Sequence, residues 1–377
     1  MFENKLGIYR VGDLATYSKL EAIELHVKTG IHPQWDFNDA VFSSYNWTKE
    51  PTESILELYR QRAQQLRDQY DYIVLCYSGG ADSDNVLRSF VDNDIRIDEV
   101  VSMINVNATG DRDSWLNEEI YKTAMPSVSE LQAKQNFQYR VVDLTSLQVD
   151  YFAQQSNRYD WIYEMSMSWT PNNVSRQNWH RNIPEWANII DSGKKLCILY
   201  GLDKPRLSHI NGKFCVRFLD VVDVAATATS RSGQQPYTNE LFYWTPDLPK
   251  LIIKQAHIIK RYLQGDITKL SDVSLHKSDV VFKEYQGKKY WLSHAGLHRL
   301  IYHSWQENKI VCGKPASAMF SDRDHWFFNI QQEHSVKKVW SMGIEKLWQT
   351  LPDYWKNDPS NISQGVKLCT SPSYFIE

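Results

Sequence analysis

The sequence predicts an α/β protein built on a parallel, doubly wound sheet, followed by a mainly helical C-terminal region. The first observation is that strand-like segments alternate with helical segments. These strands are Ile73–Tyr77, Glu99–Val106, Tyr139–Leu144 and Lys195–Tyr200, and the first and last are apolar runs typical of buried strands. The second is the β-α-β-α-β succession itself, which favours parallel strands joined by right-handed crossovers.

Length and composition limit the class of protein. A chain of 377 residues is long enough for two domains, or for one domain with large additions. Its 42% hydrophobic and 23% charged residues are typical of a globular protein and exclude a disordered one. The net charge of −3 provides no overall attraction to nucleic acid. We divide the chain into a helical N-terminal extension (1–69), a central α/β domain (70–245) and a mainly helical C-terminal domain (246–377).

Three absences bear on location. No apolar run reaches the length of a membrane helix, and the N-terminus lacks a charged region followed by an apolar one. The cysteines form no C-x-x-C pair, which favours a reducing compartment and argues against a zinc or iron–sulfur cluster. They are Cys76, Cys197, Cys215, Cys312 and Cys369. We therefore expect a cytoplasmic protein without a membrane partner.

Along the chain, helices are predicted before, between and after the strand segments. The first covers Lys19–Thr29, and a capping box formed by Ser54 and Glu57 begins another that runs to about Gln69. The remaining helical regions are Ser114–Gln135, broken at Pro126, then 147–192, which Gly193 ends, and Pro249–Gln264.

Two connections follow the fourth predicted strand. Asn211-Gly212 lies between two strand-like segments and predicts a β-hairpin. Residues 224–240 are small and polar, which indicates a loop able to order over a ligand.

A glycine turn follows the first predicted strand. Residues 78–80, Ser-Gly-Gly, allow the backbone to turn tightly and to lie close to a ligand. Asp82 and Ser83 come next, and both commonly begin helices. A strand, a glycine turn and a helix start in this order aim backbone N–H groups and a positive dipole end at an anion. We call residues 78–83 the glycine loop and expect it to bind phosphate.

The order of residues in the loop is more informative than its glycines. It matches neither the Walker pattern nor the dinucleotide fingerprint. It resembles the S-G-G-x-D-S loop of the PP-loop ATP pyrophosphatases, which include asparagine synthetase, GMP synthetase, argininosuccinate synthetase, tRNA-lysidine synthetase and the ATP sulfurylase small subunit. The matching residues are Ser78-Gly79-Gly80-Ala81-Asp82-Ser83. The resemblance covers residues 70–220 and implies a HUP-type fold, with ATP and Mg²⁺ as cofactors.

The resemblance implies a role for each residue of the glycine loop. The amides of residues 79–83 and the hydroxyls of Ser78 and Ser83 are expected to hold the β- and γ-phosphates of ATP. Asp82 places a negative charge beside an anion, and a bridging Mg²⁺ resolves that conflict. We therefore expect Asp82 to be a metal ligand and a catalytic residue, although a role in starting the helix explains an Asp there too.

A charged segment at residues 201–206, Gly-Leu-Asp-Lys-Pro-Arg, follows the fourth strand. Ligands of open parallel sheets lie outside the carboxyl ends of the strands. Lys204 and Arg206 are expected to neutralise charge on the transferred phosphate as catalytic residues, Asp203 to bind metal and Gly201 to contact the nucleotide. The superfamily has a second segment at this place, but its residues differ between branches. A solvated charged turn is the alternative interpretation.

A polar stretch follows the second strand, where the superfamily recognises adenine. It contains Asn105, Asn107 and Thr109. We take Asn105 as a candidate nucleotide contact, and a polar loop exit explains these residues equally well.

These features predict an enzyme that adenylylates a substrate oxygen, releases pyrophosphate and transfers the activated group to a nucleophile. Residue 2 is Phe, so we expect no built-in glutaminase of the asparagine-synthetase kind. The predicted partners are ATP and an unidentified acceptor. Nucleic acid or a modified nucleotide as acceptor, and a homo-oligomer or a partner subunit, are left open.

Two other functions are alternatives. Cys312-Gly313 is similar to the Cys-Gly pair in the C-terminal tail of sulfonucleotide reductases, which suggests a reductase or a sulfurtransferase using Cys312. The tryptophan-rich segment 147–192 suggests instead a nucleotide-binding subunit of a nucleic-acid-modifying complex, with bases stacked on its rings.

Overall fold

The structure is a computed structural model. It describes residues 2–3, 5–104, 117–155, 159–164, 183–202, 205, 207–210, 213–218, 220, 234–265, 300–304, 327, 334–353 and 370–377. Within these ranges no helix is both long and apolar enough to cross a membrane.

A five-stranded sheet with only parallel pairings lies at the centre of the fold. Its strands are β5 (Tyr72–Cys76), β6 (Glu99–Ile104), β7 (Gln138–Asp143), β8 (Leu196–Tyr200) and β12 (Thr238–Leu241). Their order across the sheet is β12-β8-β5-β6-β7. This confirms the predicted fold class, and β5 to β8 match the four predicted strands with small differences at their ends.

The direction of winding reverses beside strand β5. The chain goes from β5 to β6 and β7 on one side, then crosses back to β8 and β12 on the other. Cys76 pairs with Tyr200, so β5 and β8 end at the same level of the sheet. A reversal of this kind opens a crevice at the carboxyl ends of the two strands, where open α/β sheets bind ligands.

Strand β12 corrects the prediction of a loop over residues 224–240. Residues 234–235 and 238–241 are strands, and 221–233 lie outside the described residues. The strand was missed because its sequence, Thr-Asn-Glu-Leu, is mostly polar, and yet all four residues are buried. Glu240 explains how a polar edge strand can be buried, because it has partners from helix α3 (Ile55–Gln69) and from Tyr70.

A buried ion pair joins that helix to β12. The Arg62 guanidinium is fully buried, and its Nη2 lies 2.8 Å from Oε2 of Glu240. The hydroxyl of Tyr70 donates to Oε1 of Glu240 at 2.5 Å. Breaking a pair of this kind leaves an uncompensated charge in the interior, so the contact fixes α3 against the edge of the sheet.

The helices largely follow the predicted segments. They are α1 (Lys19–Thr29), α2 (Asp39–Ser43), α3, α4 (Ala81–Val91), a π-helix (Glu119–Ala124), α5 (Met125–Gln132), α6 (Leu144–Gln154), a 3₁₀ turn (Asp160–Glu164), α7 (Pro184–Asp191), α8 (Pro249–Gly265) and α9 (Ser335–Thr350). The Ser54 hydroxyl accepts from the Glu57 N–H at 3.1 Å, as the capping box predicts. Pro126 does not end the helix, because the helical backbone continues from the π-helix into α5, and Pro126 stands in the first turn after that change of helix type.

Smaller sheets complete the fold. Residues of the N-terminal segment form an antiparallel sheet that the sequence did not reveal, with β2 (Ile8–Val11) between β3 (Leu14–Thr16) and β4 (Gln34–Asp36). The predicted hairpin is present as β9 (Leu207–Ile210) and β10 (Lys213–Val216), although residues 211–212 lie outside the described residues. Strand β13 (Tyr374–Phe375) pairs with β10, and β1 (Phe2–Glu3) pairs with β11 (Gln234–Gln235).

The described residues form two hydrophobic cores. The larger surrounds the parallel sheet and includes side chains from α3, α4 and α8. The smaller joins α1, α6 and α9 around Trp161. A Cβ atom at Gly343 of α9 would lie 2.3 Å from the Trp161 ring, so this helix packs with its backbone against the indole. The domain boundaries at residues 69 and 245 stay a prediction.

Candidate functional site

The glycine loop forms the turn between β5 and α4, at the crevice where the winding reverses. Gly79 has a φ of +80°, in the left-handed region that favours glycine. Gly80 is the N-cap residue of α4, and it has no side chain with which to cap the helix. The first N–H groups of a helix have no intrahelical acceptor, and they carry the positive end of its dipole. The crevice is therefore bordered by a helix N-terminus suited to an anion.

Packing against the π-helix explains the glycine at position 79. A Cβ atom there would lie 2.9 Å from the backbone nitrogen of Ala124 and 3.0 Å from its Cα. The sequence indicated that the glycines let the backbone turn tightly and lie close to a ligand, and the structure adds that Gly79 makes room for the helix behind the loop. The loop is consequently held from behind by backbone, which cannot move aside easily.

Gly79→Ala is expected to lower the free energy of unfolding by about 2 kcal/mol or more, because it adds backbone strain and overpacking against Ala124. Gly193→Ala is the matched control, since Gly193 has a φ of +76° and no atom within 4 Å of an added Cβ. Urea unfolding of both variants checks the prediction. Equal losses in the two variants would contradict the role assigned to Ala124.

The serine hydroxyls of the loop bond to its own backbone. Ser83 Oγ donates to the Gly80 carbonyl at 3.1 Å and accepts from the Ser78 N–H at 3.3 Å. Ser78 Oγ accepts from the Gly80 N–H at 3.3 Å. Ser83 is buried and Ser78 is half-buried. The Ser78 hydroxyl is therefore the more accessible of the two to an arriving phosphate, while that of Ser83 shapes the turn.

Asp82 is the second residue of α4, and two tyrosines contact it. The sequence marked it as a helix-starting residue, but the N-cap is Gly80. The Tyr302 hydroxyl donates to Oδ1 of Asp82 at 2.5 Å, and the Tyr243 hydroxyl donates to its backbone carbonyl at 2.9 Å. Burial and the charge of Asp82 raise the pKa of Tyr302 well above its ordinary value, so its hydroxyl keeps the proton that it donates.

Tyr59 joins these two residues in a buried cluster behind Asp82. The ring centroids of Tyr243 and Tyr302 lie 5.5 Å apart, and those of Tyr59 and Tyr243 lie 6.0 Å apart. The Tyr59 hydroxyl donates to the Ile301 carbonyl at 2.9 Å. Sequence reasoning missed this cluster, because its members come from α3, from the segment after β12 and from residues 300–304. A high tyrosine content was the only signal.

Asp84 has a structural role in the same helix. It is 1% exposed, and it accepts from the Tyr77 hydroxyl at 3.0 Å and from Nε of Arg88 at 2.9 Å. Both carboxylate oxygens are thus used inside the protein. Of the two acidic residues in the first turn of α4, Asp82 is the more exposed.

Gly201, at the end of β8, lies against the start of α4. A Cβ atom there would lie 3.0 Å from the carbonyl carbon and oxygen of Asp82 and from Cα of Ser83. This close approach confirms that the exit of β8 adjoins the glycine loop. Asp203, Lys204 and Arg206 lie outside the described residues.

Only some of the other candidate residues, which are asparagines, cysteines and tryptophans, lie in the part of the chain that the structure describes. Asn105, Asn107, Thr109 and Cys312 lie outside the described residues, as do Trp169 and Trp179 of the tryptophan-rich segment. Cys76, Cys197 and Cys215 are buried. Burial raises the pKa of the Cys197 and Cys215 thiols, which disfavours the nucleophilic thiolate at both positions.

The residues at the loop suit ATP with Mg²⁺. A helix N-terminus favours phosphate, and Mg²⁺ prefers carboxylate and phosphate oxygens. The half-buried carboxylate of Asp82 supplies the negative charge at that helix end. Among the described residues no group of three or more His, Cys, Asp or Glu side chains is arranged to hold a metal ion, so a cation beside Asp82 would need further oxygens from a bound ligand.

Comparison with known proteins adds only weak structural likenesses. No family model matches the sequence, and no curated protein matches it significantly. The chain is similar to NMN synthetase from Francisella tularensis, with a TM-score of 0.31 and 10% identity, over 80% of this chain and 97% of that one. It is also similar to NAD+ synthetase from Burkholderia pseudomallei, with a TM-score of 0.24 and 13% identity, over 42% and 56% of the two chains. At these TM-scores the two likenesses do not bear on function, whereas the strand order and the glycine loop do.

Proposed function

We propose that this protein is an ATP pyrophosphatase of the PP-loop type, which adenylylates an oxygen of its substrate and then transfers the activated group to a nucleophile. One observation carries the proposal. The residues Ser-Gly-Gly-Ala-Asp-Ser, at 78–83, join β5 to the N-terminus of α4 at the point where an all-parallel sheet reverses its winding. Both the loop sequence and its place in the sheet favour a nucleotide triphosphate.

In the proposed reaction a substrate oxygen attacks the α-phosphorus of ATP, and pyrophosphate leaves. The N–H groups at the start of α4 and the Ser78 hydroxyl bind the departing β- and γ-phosphates. Asp82 would hold Mg²⁺, and the ion would supply neutralisation of the phosphate charge. The same proposal includes Lys204 and Arg206 as catalytic residues that neutralise charge on the transferred phosphate. It also includes Asp203 as a metal ligand. The protein acts mainly by positioning reactants and by electrostatics.

ATP turnover is expected to yield AMP and pyrophosphate, because the loop holds the two phosphates that leave together. The measurement is ³¹P NMR of the products formed from ATP and Mg²⁺ with candidate acceptors. Asp82→Asn protein, purified in parallel, controls for contaminating ATPases. Turnover to ADP and phosphate that persists after purification and disappears in the variant would overturn the proposal.

The acceptor is the least defined part of the proposal. We place the acceptor in the aromatic region 150–245 or against the C-terminal domain. Mass spectrometry of the adenylylated product would identify it. The reductase using Cys312 and the nucleic-acid complex stay alternatives. Cys312, Trp169 and Trp179 lie outside the described residues, whereas Trp161 and Trp186 are buried in the protein. A cytoplasmic location is likewise a prediction.

A further inference from the structure

Tyr302 brings the C-terminal region into direct contact with the glycine loop. It lies far along the chain from Asp82, and yet its hydroxyl is 2.5 Å from Oδ1 of that carboxylate. Hydrogen bonds from a hydroxyl to a charged carboxylate are short and strong. Tyr302 is 1% exposed, so solvent cannot readily replace the bond that it makes.

The segment that carries Tyr302 is itself held in place. The Tyr59 hydroxyl of α3 donates to the carbonyl of Ile301, the residue before Tyr302. Nε2 of Gln255 in α8 donates to the Tyr59 hydroxyl at 3.0 Å, and both side chains are buried. Two helices thus hold the backbone from which Tyr302 reaches the loop.

The backbone of Asp82 is fixed by another tyrosine of the same cluster. Tyr243 donates to its carbonyl at 2.9 Å, and Nδ2 of Asn85 donates to the Tyr243 hydroxyl at 3.0 Å. With the main chain held in this way, the remaining freedom of Asp82 is the rotation of its carboxylate. The hydrogen bond from the Tyr302 hydroxyl restricts that rotation.

We propose that Tyr302 is a positioning residue, which orients the Asp82 carboxylate so that it is ready to bind Mg²⁺ together with ATP. This inference rests on the proposed function. A carboxylate has about four lone-pair positions, so one hydrogen bond does not exhaust its capacity to bind a cation. Residues that orient metal ligands typically affect metal affinity by roughly 10- to 100-fold.

The test is thermal unfolding of the full chain with saturating ATP over a series of Mg²⁺ concentrations, because a ligand that binds the folded state raises Tm. We expect Tyr302→Phe to need about tenfold more Mg²⁺ than the wild type for half of the Tm increase. ATP binding in EDTA should be unchanged, since the phosphate-binding amides are intact.

Tyr72→Phe is the matched control, because it also removes a tyrosine hydroxyl from a carboxylate. Tyr72 donates to Glu99 at 3.0 Å, at the opposite end of β5 from the glycine loop. Its half-maximal Mg²⁺ concentration should equal that of the wild type. An unchanged value in Tyr302→Phe would overturn the inference alone. A wild type that shows no Tm increase with ATP and Mg²⁺ would overturn the proposed function as well.

Hydrogen exchange of the wild type covers the case in which Tyr302→Phe does not fold. Amides of residues 300–304 should exchange more slowly with ATP and Mg²⁺ than with ATP and EDTA, because the occupied site stabilises the contact with Asp82. Equal exchange in the two conditions would overturn the inference.

Discussion

Asp82→Asn is expected to abolish Mg²⁺-dependent release of pyrophosphate while leaving the fold intact. An amide has nearly the size of a carboxylate, and its oxygen can still accept from the Tyr302 hydroxyl. What is lost is the negative charge that holds the cation. Metal neutralisation of transferring phosphate contributes several kcal/mol, and each 1.4 kcal/mol corresponds to about tenfold in rate, so the loss should be about a thousandfold or more.

The measurement combines pyrophosphate release with thermal unfolding. Asp84→Asn is the comparison variant, because Asp84 lies two residues away and its carboxylate accepts buried hydrogen bonds from Tyr77 and Arg88. Removing one partner of a buried charge pair typically costs on the order of 3 kcal/mol. We therefore expect Asp84→Asn to lose stability and to keep the Mg²⁺ dependence of the protein that remains folded. An Asp82→Asn enzyme with near wild-type turnover would reduce Asp82 to a residue that favours the start of α4.

Strands β5 and β8 were predictable because burial on both faces leaves a local signal. All the residues of β8 are buried, and their sequence, Leu-Cys-Ile-Leu-Tyr, is an uninterrupted apolar run. Strand β12 is buried to the same degree but lacks this signal. Its Glu240 is stabilised by Arg62 from α3, and nothing in the local sequence links these two distant residues.

The candidate site likewise has features that the sequence predicted and features that it did not. The glycine loop was visible because its strand, turn and helix are consecutive in the chain. The reason for Gly79 was not visible, since Ala124 reaches it only through the packing of the π-helix. The contact between Tyr302 and Asp82 was hidden for the same reason, because no spacing rule relates residues from such distant segments. Local chemistry was therefore predictable, and its tertiary support was not.

Lys204→Ala and Arg206→Ala are each expected to lower kcat on the order of a hundredfold, with a smaller effect on ATP affinity. Charge builds up on the phosphates as pyrophosphate departs, so a cation there acts more strongly in the transition state than on bound ATP. Loss of one such preorganised contact typically costs about a hundredfold or more in kcat. The position supports this expectation, because Gly201 packs against the backbone of Asp82 and Ser83 and the charged segment begins there.

Lys195→Ala is the matched control for the change in net charge. Lys195 is exposed and directly precedes β8, so it lies at the end of the strand opposite to the glycine loop. Each variant is assayed for kcat, for ATP binding and for Tm. A solvated turn would leave stability within about 0.5 kcal/mol of the wild type and the rate nearly unchanged, as we expect for Lys195→Ala. If both Lys204→Ala and Arg206→Ala behave like this control, the cations that assist the reaction must come from elsewhere, and the segment at 221–233 is then the next place to seek them.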